Sequence, residues 1–259
     1  MKRLHIVGCP RSGTTLLMEL LTTCFEHDSA SAHECGIFEQ CGGNGELTIS
    51  KQPNDIRQLQ HVFYRDESLY IIYMGRDPRA VITSGHAANP GQYFCNYRVW
   101  RECDSAAQAY QNHPRFLPLR YEDLVTAPDQ VQHNIAAAYP FLKQQHLFSQ
   151  YQRFATSSRA AQQAMHGLRP INTDSMEKWR AHLPRLAEQY QRYPELAAAL
   201  IRLGYEADMG WLELLTKVQG ISYPCRYPEQ RATLKELEKR LRVYFKSRKY
   251  LKEIRDRPG

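Results

Sequence analysis

The chain has 259 residues, 42% apolar and 24% charged, which suits one large α/β domain with a full core, or at most two small ones. No apolar run approaches the roughly 20 residues needed to cross a bilayer. The opening MKRLHIVGCP has too short an apolar run for a secretory signal, so a cytoplasmic chain without a transmembrane segment is expected. The net charge of +7 is concentrated: from Arg231 onward eleven Lys/Arg face four acidic residues, which leaves residues 1–230 neutral. No recognition motif accompanies that charge, so nucleic acid is not an expected partner.

Leu4-His5-Ile6-Val7 is a short β-rich run that ends at the loop Gly8-Cys9-Pro10-Arg11-Ser12-Gly13-Thr14-Thr15. From Thr14 to Phe25, Leu16, Leu17, Leu20 and Leu21 recur at helical spacing. Strand, glycine loop and helix in that order make an anion site, because backbone N–H groups converge at the helix N-terminus. The loop has both glycines of a nucleotide-binding loop, and Thr15 at its hydroxyl position. Thr14 stands where that motif has lysine, so the loop is poorly suited to ATP or GTP with Mg²⁺ and well suited to a single 5′-phosphate. Ser12, Thr14 and Thr15 add hydroxyls, and Arg11 adds a guanidinium at the tip.

Glu46–Lys51 reads as a second strand, and PNDIRQLQHVF as a helix opened by Pro53. Ser68–Gly75 is a continuously apolar strand, as expected when helices cover both sheet faces. A helix is expected from Pro78 or Arg79, and another from Tyr97 to Tyr110. RFLPLRYEDL supplies a strand ending near Tyr121, APDQVQHNIAAAY a helix, and Leu183–Leu203 helices interrupted near Pro194. Leu234, Leu237, Leu241, Tyr244 and Leu251 then follow at near-heptad spacing. The alternation predicts a P-loop-like three-layer α/β fold with a central parallel sheet flanked by helices and a C-terminal helical tail. Residues 1–222 are read as one domain and 223–259 as a basic amphipathic tail. That tail is open to self-association, an acidic partner or a membrane surface.

Seven cysteines form an odd set without a CxxC pair, which points to reduced thiols. His33, Cys35 and Cys41 match no common zinc spacing, so no metal is expected.

A second cluster, YMGRDPRAVITSGH, places Arg76 at the carboxyl end of a buried strand, with Ser84 eight residues on. A guanidinium and a hydroxyl so placed suit a second phosphate. On its own, the same stretch is equally consistent with a helix N-cap beside a surface arginine.

PRSGTT followed by RDPRAV and Ser84, then RYEDLVTAP (Arg120–Pro128) and SMEKWR (Ser175–Arg180), resembles the PAPS-dependent sulfotransferases. PAPS is 3′-phosphoadenosine 5′-phosphosulfate. The resemblance spans about residues 4–182 and is closest to the tyrosyl-protein and bacterial branch. It implies that Arg11, Ser12, Gly13, Thr14 and Thr15 bind the 5′-phosphosulfate end, and that Arg76 and Ser84 bind the 3′-phosphate. It places Tyr121 beside the adenine or in support of its pocket, and Ser175, Lys178 and Arg180 over the nucleotide. The donor has no β/γ-phosphates and the family needs no metal, which accounts for the missing lysine.

The resemblance also implies Glu34 as the base for the acceptor hydroxyl, its proton affinity raised by burial, with His33 as second choice. Lys51 and Arg11 are the implied cations for charge on the leaving phosphate. The branch often has an arginine where this chain has Ala88, and Arg169 is a further implied contact. The alternatives are an ATP-dependent phosphotransferase of the P-loop kinase type and a non-catalytic nucleotide-binding scaffold. The acceptor is not readable from the sequence.

Overall fold

A computed structural model describes the chain except residues 32–33, 42–44, 87, 156–169, 231–232 and 257–259, and gives the backbone alone for 233–235. Five parallel strands form the central sheet: β1 (Lys2–Gly8), β2 (Ser29–Ala30), β3 (Leu47–Lys51), β4 (Leu69–Gly75) and, numbered after an intervening hairpin, β7 (Phe116–Arg120). Their order is β2-β3-β1-β4-β7, so β2 and β3 lie on one side of β1, and the chain then crosses to β4 and β7 on the other. That reversal sets the carboxyl end of β1 and its loop at a switch point, where open α/β sheets bind ligands.

The sheet is buried by alternation. On β4, Leu69, Ile71 and Tyr73 enter one apolar cluster, while Ile72 and Met74 enter the opposite one. Helix α1 (Thr14–Cys24) covers the second face with Leu17, Leu20 and Leu21, joined by α4 (Tyr121–Thr126) and α5 (Pro128–Ala138). The first face is covered by α2 (Pro78–Ile82), α3 (Tyr97–Gln108), α6 (Leu183–Arg192) and α7 (Glu195–Arg202). The expected three-layer α/β arrangement is therefore present. The segment opened by Pro53 is a 3₁₀ helix (Pro53–His61) rather than an α-helix.

Besides the edge strand β2 and short 3₁₀ turns, two further features were not anticipated. One is the short antiparallel hairpin β5 (Gly85–His86) and β6 (Asn89–Tyr93), on which the segment after Tyr223 is laid: Tyr93 N–H donates to Pro224 O at 2.9 Å and Arg226 N–H to Tyr93 O at 3.0 Å. The other is a disulfide between Cys35 and Cys41, with Cα atoms 6.2 Å apart, against the expectation of reduced thiols. The two residues lie on one tight loop that brings their side chains together, a closeness that spacing alone does not reveal. The cysteines at 9, 24, 95, 103 and 225 are free.

The final helix, α8 (Thr233–Arg255), docks by its C-terminal end: Tyr250 is buried, packs edge-on to Phe38 and donates to Asp66 Oδ2 at 2.7 Å. Among the described residues no helix is long and apolar enough to cross a membrane.

Candidate active site

The loop from Gly8 to Thr15 joins β1 to α1. Arg11 and Gly13 both take positive φ, at 75° and 95°, and Gly13 is the N-cap of α1. A side chain at Gly13 would meet Tyr121 Cδ2 at 2.4 Å, and one at Gly8 would meet Met74 O at 2.6 Å. Glycine is thus required at both places by close approach.

The first turn of α1 has no side-chain cap and no acidic residue, so its N–H groups are open to an anion. Ser12 Oγ is fully buried without a hydrogen-bond partner, as is Arg76 Nε. Such atoms are expensive to leave unpaired, and both border the loop. A phosphate-sized anion satisfies donors of this kind.

Arg76 leaves the end of β4, and Asp77, by accepting from Arg79 N–H, caps α2. The N-cap reading is therefore correct for Asp77, whereas Arg76 turns inward. Its Nη1 donates to Arg11 O at 3.0 Å and its Nη2 to Ser175 O at 2.8 Å, and its guanidinium lies 4.1 Å from the centre of the Tyr121 ring. Tyr121 Oη and Ser175 Oγ are 2.6 Å apart.

Arg11 Nε donates to Ser84 Oγ at 2.8 Å, and its guanidinium is 5.8 Å from the Phe94 ring. Burial and the nearby positive charge of Arg76 hold the Arg11 guanidinium below its usual pKa. Two neighbouring cations, Arg11 and Arg76, linked by the bond from Arg76 to Arg11 O, make a site that favours negative charge.

Lys51 ends β3. Its ammonium donates to Thr15 Oγ1 at 3.1 Å and stands 3.8 Å from Glu34 Oε1. Burial lowers its pKa, partly offset by the carboxylates of Glu34 and Glu19. Glu34 itself is not buried: its side chain is 42% exposed, contrary to the expectation of a buried carboxylate. The segment that follows it is tied to the end of β3, where Cys35 N–H donates to Lys51 O at 3.0 Å, and enters the core at Ile37.

Beneath this loop lies a polar network that sequence reasoning missed. Arg3 and His5 alternate on β1 with Leu4 and Ile6, and all four are buried. Arg3 Nε donates to Ser50 Oγ at 2.8 Å; its other nitrogens donate to the carbonyls of Gly36 at 3.0 Å, Ile37 at 3.0 Å and Glu39 at 2.9 Å. His5 pairs with Ser50 Oγ at 2.8 Å and Asp55 Oδ2 at 3.3 Å, and Asp55 also accepts from Ile37 N–H. The available signal was two polar residues inside a strand otherwise buried on both faces.

The structure therefore joins Ser12, Gly13, Thr14 and Thr15 with Arg11, Arg76, Ser84, Tyr121 and Ser175, and links Glu34 and Lys51 to Thr15. Lys178 and Arg180 are not brought to the loop. They lie exposed on a 3₁₀ turn (Lys178–His182), where Arg180 pairs with Glu177 and covers Trp179. Trp179 is buried core, sandwiched by Arg79 at 4.2 Å. His33 and Arg169 lie outside the described residues.

Comparison with curated proteins finds no match. Among solved structures the fold is similar to the sulfotransferase domain from the curacin biosynthetic pathway. That likeness has 18% identity and a TM-score of 0.58, and covers 79% of this chain and 98% of that one. It is also similar to the sulfotransferase domain from the Synechococcus PCC 7002 olefin synthase, at 18% identity and TM-score 0.50, covering 70% and 88%. The family described as "Sulfotransferase domain" matches residues 2–201. That match takes in the sheet, both arginine sites and the Lys51 strand, and the chain belongs to the sulfotransferase domain family.

Proposed function

We propose that this sulfotransferase moves a sulfuryl group from PAPS to a hydroxyl or amine of its acceptor and releases adenosine 3′,5′-bisphosphate, without a metal. The observation that carries the donor assignment is the pair of cationic sites joined through Arg11, with the unpartnered Ser12 Oγ and Arg76 Nε beside them. One end of the donor fits the uncapped N-terminus of α1, with Ser12, Gly13, Thr14 and Thr15. The other fits Arg76 and Ser84, with Tyr121 and Ser175 alongside. Lys178 and Arg180, exposed on the turn just past Ser175, add positive charge beside the nucleotide in this reading.

Transfer is an in-line displacement: the acceptor oxygen forms a bond to sulfur as the sulfur–oxygen bond to the phosphate breaks. Glu34 takes the acceptor's proton, and Lys51 with Arg11 neutralises charge gathering on the leaving phosphate oxygen. A carboxylate 3.8 Å from the Lys51 ammonium is suitably placed, since base and cation must flank one reacting centre. Phosphotransfer from ATP is disfavoured by Thr14 at the lysine position of the loop.

Residues 1–222 form the catalytic unit and 223–259 an attached basic segment that offers a contact surface. Five of the seven cysteines are free, which favours a cytoplasmic setting, while Cys35 and Cys41 are oxidised.

The test is turnover with PAPS carrying radioactive sulfur, across a panel of alcohols, phenols, sugars and amines. Label transferred to an acceptor, with release of adenosine 3′,5′-bisphosphate and no dependence on Mg²⁺, is the expected result. Consumption of the ATP γ-phosphate in place of PAPS overturns it.

A further inference from the structure

Helix α8 lies beyond the part of the chain matched by the family, and its C-terminal part is docked. Ser247 and Tyr250 are buried against the body, with Leu251 and Ile254 partly covered. From Leu237 to Lys246 every residue except Val243 is exposed. That stretch displays Leu237, Leu241, Tyr244 and Phe245, which are 57%, 52%, 50% and 66% exposed. Their spacing of four, three and one residues gathers them into one stripe on the helix. Four large apolar side chains within nine residues are more than a solvated helix needs.

The surroundings of the stripe select its occupant. Between Glu236 and Arg255 there are eight Lys/Arg and three Glu. The Arg248 guanidinium sits 5.9 Å from the Tyr244 ring, at the edge of the stripe. A second copy of this helix would bring like charges together. It would also overlap only the exposed stretch, about 15 Å of helix at 1.5 Å per residue, which is short for a stable helix pair. A lipid surface has neither restriction. It receives a few leucine and aromatic side chains at the acyl boundary, while lysine and arginine reach anionic headgroups on either side.

We propose that α8 is an interfacial helix that attaches this sulfotransferase to anionic membrane surfaces, with Leu237, Leu241, Tyr244 and Phe245 entering the lipid and the flanking basic residues holding the headgroups. The helix lies in the membrane plane and does not cross it. The docked Tyr250 end then keeps the catalytic body beside the membrane, with the Cys35–Cys41 loop next to the anchor through Phe38.

The experiment is flotation of the full chain with vesicles of phosphatidylcholine alone, and of phosphatidylcholine with one-third phosphatidylglycerol. Expected is binding to the anionic vesicles only, weakened by salt. The double variant Leu241→Glu/Phe245→Glu should bind at least about tenfold more weakly while keeping its helical circular dichroism and its thermal shift with adenosine 3′,5′-bisphosphate. Should that variant fail to fold, Lys246→Glu/Lys249→Glu, which leaves the stripe intact, must show the same loss. Absence of binding to anionic vesicles, or equal binding to both compositions, overturns the proposal. So does a dimer in light scattering that Leu241→Glu/Phe245→Glu dissociates, or a soluble polyglutamate peptide bound as tightly as the vesicles.

Discussion

Lys51 holds Glu34 twice over: its ammonium stands 3.8 Å from the carboxylate, and its carbonyl accepts the N–H of the next residue, Cys35, at 3.0 Å. The same ammonium reaches Thr15 on the phosphate loop, so one side chain spans the proposed base and the proposed leaving group. Because Glu34 is exposed and Lys51 buried, their losses should differ in kind. Glu34→Gln is expected to leave adenosine 3′,5′-bisphosphate binding near normal and lower turnover by about 10²–10⁴-fold. Full turnover in that variant moves the base elsewhere. Lys51→Met should lower turnover by about 10²–10³-fold and also weaken nucleotide binding, read by calorimetry.

Arg76 supplies the second cationic site. Thermal shifts in wild type should rank adenosine 3′,5′-bisphosphate above 5′-AMP and above ATP with Mg²⁺. Arg76→Ala removes a charge-assisted contact of about 1.5–3 kcal/mol, so the preference for the bisphosphate over 5′-AMP should disappear. Equal shifts for the two adenylates in wild type would contradict the 3′-phosphate assignment.

Gly13 carries two demands at once, a φ of 95° and a Tyr121 ring where a side chain would go. Gly13→Ala should destabilise the fold by about 2–4 kcal/mol, combining left-handed strain with overpacking, and should weaken nucleotide binding. Urea denaturation gives the first quantity. A change under 0.5 kcal/mol, about the size of an ordinary surface substitution, would show that the loop is looser than described.

The network under the Glu34 loop gives a pH dependence. Burial lowers the pKa of His5, and the charge of Arg3 lowers it further, against the opposing hydrogen bond and charge of Asp55. The unfolded chain therefore binds this proton more readily than the folded one. The stability contributed by neutral His5 is present above its ordinary value of 6.5 and is lost as pH falls below that toward the folded pKa. Urea midpoints should drop between pH 7 and 5, and the drop should shrink in His5→Gln. An unchanged drop in that variant assigns the loss to other groups.

What could be read from the chain beforehand follows from how local each signal is. The loop from Gly8 to Thr15 needs glycine at fixed places because β4 and Tyr121 approach it, and that requirement shows as spacing. Ser68–Gly75 was legible because burial on both faces leaves no room for polar residues. The pair Arg76 and Ser84 was legible as two groups, but their connection through Arg11 depends on a side-chain path across strands. Arg3, His5 and Asp55 looked like ordinary polar residues because their partners, Ser50, the backbone of Gly36 to Glu39 and one another, are brought together only by the fold. The near-heptad spacing of α8 identified a helix; only the packing of Tyr250 and Ser247 shows which end is docked.

The most direct measurement is a crystal structure with adenosine 3′,5′-bisphosphate. A single adenosine bridging the two cationic sites is predicted, its 5′-phosphate on the N–H groups and hydroxyls of Ser12 to Thr15 and its 3′-phosphate on Arg76 and Ser84. A nucleotide bound with its 3′-phosphate away from Arg76, or no nucleotide at the α1 N-terminus, would contradict the account.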